Sequence, residues 1–247
     1  MGFLYGYYSY ILWMLPAIII SMIAQAKVKS AYNKNSRILN NRRITGAEAA
    51  RQVLLNNNVT GVQIMPVSGK MTDHFDPRNN TIYLSEGVYG CTTVAAVGIA
   101  AHEAGHAVQH AVGYAPNKLR TVLVPITNIG SRVGWILIII GFIFSGYYGY
   151  STYSAESVAT TDYGSIILTL GIVLYSSALI FALITLPVEF NASKRALEAI
   201  QNTNMLEGEQ YKGAKDTLTA AALTYVAAAI TALLQILRVI MMAKRRR

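Results

Sequence analysis

Apolar residues in this chain come in four long runs, at 3–26, 133–150, 163–186 and 218–243. Each is near the roughly 20 apolar residues a helix needs to cross a bilayer core. Between the first two runs the pattern changes. Thr45 and Glu48 have capping-box spacing, and a helix is predicted over 46–56, closed by Asn56, Asn57 and Asn58. Residues 62–67 and 81–84 read as short strands, and 69–80, full of turn residues, reads as a loop. Residues 92–112 are rich in Ala, Val and Ile and lack Pro, which predicts a buried helix. After the third run, Pro187 suits the first turn of a new helix over 188–202. A polar stretch to Lys215 then leads into the last run.

Composition agrees with a membrane protein. Of 247 residues, 53% are hydrophobic and 13% charged, against about 25% charged in an ordinary soluble domain. The net charge is +9, and the excess is clustered. Lys27, Lys29, Lys34, Arg37, Arg42, Arg43 and Arg51 follow the first run, with Glu48 alone against them. By the positive-inside rule this segment is cytoplasmic and the N-terminus lies outside. Tyr5, Tyr7, Tyr8, Tyr10 and Trp13 crowd the first run as an aromatic belt would, and it reads as a retained anchor. Residues 151–162 carry Glu156 and Asp162 and no Lys or Arg, and so belong outside. The last run ends in Lys244, Arg245, Arg246 and Arg247. Their charge favours the inside, while three preceding spans place them outside, so the orientation of this run stays open. Basic clusters beside apolar spans act as topology and headgroup signals, and no nucleic-acid partner is expected. The single cysteine, Cys91, excludes an internal disulfide and a cysteine zinc site.

The chemistry centres on Ala101-His102-Glu103-Ala104-Gly105-His106. On a helix, His102 and His106 stand one turn apart, about 6 Å along the axis, with both imidazoles on one face. Two neutral imidazoles so placed can hold zinc. Glu103, on the flank, is placed to take a proton from water activated by the metal and pass it to a leaving amine. A catalytic zinc needs a third protein ligand and one open position. His110 shares the face but lies about 12 Å from His102 along the helix, too far to join it on one ion. Glu189 is the better candidate, in a helix that follows a span returning to the zinc side. On geometry alone, an acid at a helix start stabilised by the macrodipole accounts for it equally well. His74, between Asp73 and Phe75, or the basic Arg195 could stabilise an oxyanion. Thr81, Ile82, Tyr83 and Leu84, just before the zinc helix, are the candidate edge strand for pairing with an extended substrate.

Several longer stretches carry a resemblance that covers nearly the whole chain. They are the Met71–Asn79 loop (MTDHFDPRN), Leu84-Ser85-Glu86, the 100–107 segment around the histidines, Leu186-Pro187-Val188-Glu189-Phe190-Asn191-Ala192-Ser193 and Ala220-Ala221-Ala222-Leu223-Thr224-Tyr225. In these the chain resembles the YugP-like family of membrane zinc metallopeptidases. More distantly it is similar to the heat-shock membrane metallopeptidases and the type I CAAX prenyl proteases. The resemblance implies one zinc per chain, His102, His106 and Glu189 as its ligands and Glu103 as the base. The wider clan often has an Asp four residues after the ligand Glu to orient a histidine. Here that position is Ser193, and Asn191 is the other nearby polar candidate for the role.

The expectation is therefore a mainly α-helical multi-pass membrane protein with a small α+β zincin-like catalytic unit. Its parts are a first transmembrane helix (1–26), a cytoplasmic α+β unit with the zinc helix (27–118), a transmembrane hairpin (119–186), a cytoplasmic helix with the third ligand (187–217) and an apolar helix with a basic tail (218–247). The activity expected is endopeptidase cleavage, by metal-activated water, of membrane proteins or peptides at the cytoplasmic face of the cell membrane. Two other readings fit the residues. One is a zinc-binding membrane scaffold or chaperone without peptidase activity, and the other a zinc hydrolase of a non-peptide amide or ester. The few ligands and the intact Glu103 favour catalysis, because structural zinc sites use four closed ligands. The sequence leaves the oligomeric state open.

Overall fold

The structure is a computed structural model that describes residues 2–151 and 163–244. Glu156, Asp162 and the arginines 245–247 lie outside the described residues, as do the side chains of Tyr5, Tyr7, Tyr8 and Tyr10. Among the described residues seven helices and three strands follow in the order α1 (Gly2–Asn35), α2 (Gly46–Asn56), β1 (Gln63–Val67), β2 (His74–Asp76), β3 (Thr81–Ser85), α3 (Val94–Ala111), α4 (Ala115–Ser151), α5 (Tyr163–Tyr175), α6 (Ser177–Asn202) and α7 (Gly208–Lys244). The protein is mainly helical with a small α+β unit. Among the described residues four segments are long and apolar enough to cross a membrane, at Leu12–Asn35, Ala115–Phe144, Tyr163–Asn202 and Gly208–Lys244.

The chain forms two compact units. The first comprises Met1–Ile20, Leu119–Ile184 and Ala227–Arg247. Within it α4 meets α5 almost backbone to backbone. A Cβ on Gly134 would come 2.6 Å from the Tyr175 amide nitrogen, one on Gly141 2.6 Å from that of Leu168, and one on Gly171 2.7 Å from that of Ile138. Small residues at such a crossing let helices approach where burial from water offers no driving force. The outward faces carry large apolar side chains, among them Leu12, Ile129, Ile136, Ile166 and Val173, as lipid-facing helices do.

The second unit comprises Ser21–Lys118 and Thr185–Val226. Thr45 caps α2 with the expected box: its hydroxyl accepts from the Glu48 amide, and the Glu48 carboxylate accepts from the Thr45 amide at 2.8 Å. The apolar face of α2, with Ala49, Ala50 and Val53, is buried in one core with Ile82 and Leu84 of β3 and Val97, Ala101 and Val108 of α3. Buried Asn40 ties the loop before α2 together. Its amide donates to the carbonyls of Ile44 and Thr92, and its oxygen accepts from the Ile44 amide.

Four expectations need correction here. The stretch 69–80 is not all loop: His74–Asp76 forms β2, held by antiparallel pairing to β3. The sheet order is β1-β3-β2, with β1 parallel to β3. Thr81, Ile82, Tyr83 and Leu84 therefore lie in the central strand, not at an edge, and Thr81, Ile82 and Leu84 are buried. β3 is paired with β1 over Thr81–Ser85 and with β2 at Thr81, Ile82 and Tyr83, so at those three positions both flanks are taken within the sheet. Nor does Pro187 start a helix. It lies inside α6, and the buried stripe of Thr185, Val188, Glu189, Ala192, Ala196 and Ala199 runs past it in phase. Packing of that stripe outweighs the one helical hydrogen bond that proline removes. Finally, the polar stretch before residue 215 is the start of α7 itself, which begins at Gly208.

Candidate metal centre

Thr93 caps α3, its hydroxyl accepting from the Ala96 amide. The helix then carries His102 and His106 on successive turns, their ring centroids 4.7 Å apart and their planes nearly perpendicular at 84°. Across from them, α6 brings Glu189, which is almost fully buried. The close approach of α3 and α6 depends on Gly105, where a Cβ would meet the Ala192 carbonyl oxygen at 2.6 Å. Nε2 of His102 lies 3.3 Å from Oε2 of Glu189, and Nε2 of His106 lies 3.5 Å from the same oxygen. All three ligand atoms lie within 4.8 Å of one another. Bonds of about 2.1 Å in a tetrahedral zinc site put neighbouring ligand atoms about 3.4 Å apart. The histidine–glutamate separations match that spacing, and two nitrogens with one carboxylate oxygen are a donor set zinc accepts. The residues present fit the ion.

The far side of each imidazole is also engaged. Gln109, fully buried one turn beyond the histidines, directs its side-chain oxygen to Nδ1 of His106 at 3.1 Å. Its amide nitrogen donates to the Val188 carbonyl at 2.7 Å and to Oδ1 of Asn191 at 3.0 Å. With both amide hydrogens used, the oxygen must face His106. Nδ1 therefore carries the hydrogen and donates, and Nε2 keeps its lone pair for a metal. Asn191 is itself fixed by Arg195, whose Nε donates to the same oxygen at 2.8 Å. Nδ1 of His102 faces the Ser193 hydroxyl at 3.1 Å.

Glu103 opens onto a cavity of about 330 Å³, together with His102, Glu189 and Ser193. Most of the lining is apolar, from Val28, Ile99, Leu218, Ala221 and Ala222, with Tyr32 and Tyr225 at its walls. Burial pushes the Glu103 carboxyl up to about 7. His102 opposes the rise, the carboxylates of Glu189 and Asp73 add to it, and His74 opposes it weakly.

Other sequence candidates lie elsewhere. His74 is exposed on β2, with Nδ1 on the Thr72 carbonyl and its ring stacked 5.0 Å from Tyr83, and it does not line the cavity. Arg195 donates through Nε to Asn191 and does not line the cavity. His110 stands outside the cluster, its ring 5.7 Å from Phe75. Three contributors escape the sequence reading. Gln109 is a single amide in an apolar helix, with no motif to mark it. Tyr225 sits in a stretch that carries the resemblance but no assigned chemistry. Asp73 lines the cavity and anchors the start of β2, accepting from the amide and hydroxyl of Ser85 at 2.7 and 3.0 Å.

A family model described as "Putative neutral zinc metallopeptidase" matches residues 10–244. The chain is 39% identical over 233 residues to the protein named "Putative membrane protease YugP" of Bacillus subtilis (strain 168). The match covers 94% of this chain and 95% of that protein. No solved structure matches the chain.

Proposed function

This chain belongs to the family described as "Putative neutral zinc metallopeptidase", and from that membership we propose that it is a membrane-embedded zinc endopeptidase acting on membrane proteins or peptides. The observation that carries this reading is the spacing of His102, His106 and Glu189 around one point, with Glu103 on the cavity that reaches it. Those three side chains would hold the zinc ion, which supplies Lewis-acid chemistry by acidifying water and polarising a carbonyl.

The protein's own groups do the remainder. Glu103 accepts the proton of the attacking water and delivers it to the leaving amine. The same carboxyl group serves as base in the first half of that transfer and as acid in the second. Gln109 and Ser193 hold the two imidazoles in orientation, and Asn191 with Arg195 holds Gln109. With β3 covered on both sides, an extended substrate would add to the outer edge of β2, which adjoins the cavity through Met71 and Asp73. The apolar lining favours an apolar substrate side chain. The Lys and Arg cluster at 27–51 supports a cytoplasmic site in the cell membrane.

The test is elemental analysis of purified wild type, Glu103→Gln and Glu189→Ala, beside hydrolysis of an unfolded protein such as casein. The expected result is about one zinc in wild type and in Glu103→Gln, loss of zinc in Glu189→Ala and cleavage by wild type alone. Full zinc in Glu189→Ala overturns the ligand set. Equal cleavage by Glu103→Gln and wild type overturns the base. Zinc retained with no cleavage of casein or of membrane-derived peptides by wild type favours a zinc-binding scaffold instead.

A further inference from the structure

The cavity beside the metal centre lies wholly within the second unit. Among the described residues its walls carry the carboxylates of Glu103, Glu189 and Asp73, and no Lys or Arg. Lys27 and Lys29 flank the cavity-lining Val28 in sequence, but both are exposed and neither lines the space. The proposed chemistry uses Glu189 to hold the metal and Glu103 to move the proton. Asp73 has no part in it. A divalent ion balances the charges of Glu189 and Glu103, which leaves Asp73 as the surplus negative charge on a mostly apolar space.

That carboxylate is fixed in place by the sheet. The Gln63 amide donates to the Asn80 carbonyl, so Ile82 and Leu84, in phase with Asn80, turn their backbone groups toward β1. Thr81, Tyr83 and Ser85 therefore turn theirs toward β2. Strand β2 pairs with β3 only from Thr81 to Tyr83. At Ser85 the Asp73 side chain takes the place of a strand partner. It accepts from the Ser85 amide at 2.7 Å through Oδ1 and from the Ser85 hydroxyl at 3.0 Å through Oδ2. A carboxylate has about four acceptor positions, so each oxygen keeps one beyond its bond to Ser85. Asp73 is half-buried, immediately before β2.

We propose that Asp73 is a specificity residue that selects a substrate Lys or Arg close to the apolar side chain received by the cavity. The proposal rests on the peptidase reading above and adds a substrate class to it. Met71 and Asp73 join the cavity to the outer edge of β2, along which an extended substrate would run. An apolar side chain in the cavity and a cation at its β2 end then come from one short stretch of substrate. A carboxylate already held by Ser85 makes a charge-assisted hydrogen bond to that cation with little further loss of side-chain freedom. The aliphatic stem of Lys or Arg lies along apolar wall while its charge reaches Asp73. An apolar run followed directly by Lys or Arg is the pattern of the cytoplasmic flank of a membrane span. Such flanks are the substrate class this site fits.

The test measures binding apart from cleavage. Full-length Glu103→Gln protein, loaded with zinc in neutral detergent, is titrated with fluorescent Leu/Ala peptides that carry Lys, Arg, Gln or Glu at each position in turn, and anisotropy is read. At one or more positions Lys and Arg are expected to bind about tenfold tighter than Gln, and Glu more weakly than Gln. Asp73→Asn/Glu103→Gln keeps a side chain that can still bond Ser85 and is expected to abolish the preference. Ser85→Ala/Glu103→Gln removes one bond to the carboxylate and keeps its charge, and is expected to retain the preference. Equal binding of the Lys, Arg and Gln peptides by Glu103→Gln, absence of binding included, overturns the proposal whether or not the double variants fold. So does a preference that survives Asp73→Asn, or one lost equally in Ser85→Ala. Cleavage of the same peptides by wild type reports on the peptidase reading separately. An Asp73-dependent preference without cleavage removes that reading and keeps Asp73 as the group that binds the cation.

Discussion

Gln109 places its side-chain oxygen 3.1 Å from Nδ1 of His106 and uses its amide hydrogens on the Val188 carbonyl and Asn191. One buried amide thus joins the two helices that carry the proposed metal ligands and sets the tautomer of one of them. Gln109→Leu keeps the volume and removes the acceptor. Zinc affinity, measured by chelator competition, is expected to fall about 10- to 100-fold. Ser193→Ala is expected to cost less, because a hydroxyl is a weaker orienting partner than a fixed amide oxygen. Wild-type affinity in Gln109→Leu would show that the imidazole is held by packing alone.

Gly105 sets how closely α3 and α6 approach. An added Cβ would lie 2.6 Å from a backbone oxygen of Ala192, which no side-chain rotation can relieve. At Gly98, on the same helix, the nearest atom is a Cβ of Ala214 at 3.3 Å. Gly105→Ala is expected to destabilise the fold by about 1–3 kcal/mol and to weaken zinc binding by moving Glu189 away from the histidines. Gly98→Ala is expected to change zinc affinity little. Thermal unfolding and zinc titration of the pair check this, and equal effects at both sites would refute the crossing argument.

How much of this was legible follows from how local each signal is. The limits of α2 and its capping box depend on Thr45, Glu48 and the asparagine run, all within one short segment. His102 and His106 lie on one helical face, with Glu103 on its flank, by spacing alone. Strand β2 gives no such signal. His74, Phe75 and Asp76 sit among turn residues and are extended only because Tyr83, Ile82 and Thr81 pair with them. That pairing also moved Thr81–Leu84 from edge to centre, which no reading of the strand by itself could show. Pro187 misled for a related reason: its local preference is for a helix start, and the long-range packing of α6 overrode it. Gln109 was invisible because its partners on α6 are 79 and 82 residues away.

The α2 cap gives a pH prediction. Hydrogen bonds from the Thr45 backbone and then its side chain hold the Glu48 carboxyl below its ordinary value, with Arg51 assisting. A group depressed in the folded state contributes its stability above its unfolded pKa, about 4.3. That contribution is lost as pH falls through the lower folded value. Glu48→Gln should therefore be less stable than wild type at pH 6–7 and approach it at pH 3–4. Thr45→Ala should cost about 1 kcal/mol at neutral pH. Thermal unfolding across this range tests both, and a Glu48→Gln deficit that persists undiminished at acid pH would remove the carboxylate from the account.

Ala221 and Ala222 place small side chains on the cavity that Glu103 opens onto. If that cavity receives a substrate side chain, its size sets which residues are cleaved beside. Ala221→Leu narrows a space of about 330 Å³ without touching the metal cluster. Zinc content is then expected to stay at the wild-type level. Cleavage next to Leu or Phe is expected to slow about tenfold or more relative to cleavage next to Ala or Gly, since a crowded pocket discriminates by shape. Mass-spectrometric mapping of cut sites in a mixed peptide library reads the ratio directly. An unchanged cleavage pattern, with zinc retained, would place the specificity pocket elsewhere, whereas a shift toward small residues would identify α7 as the wall that selects the substrate.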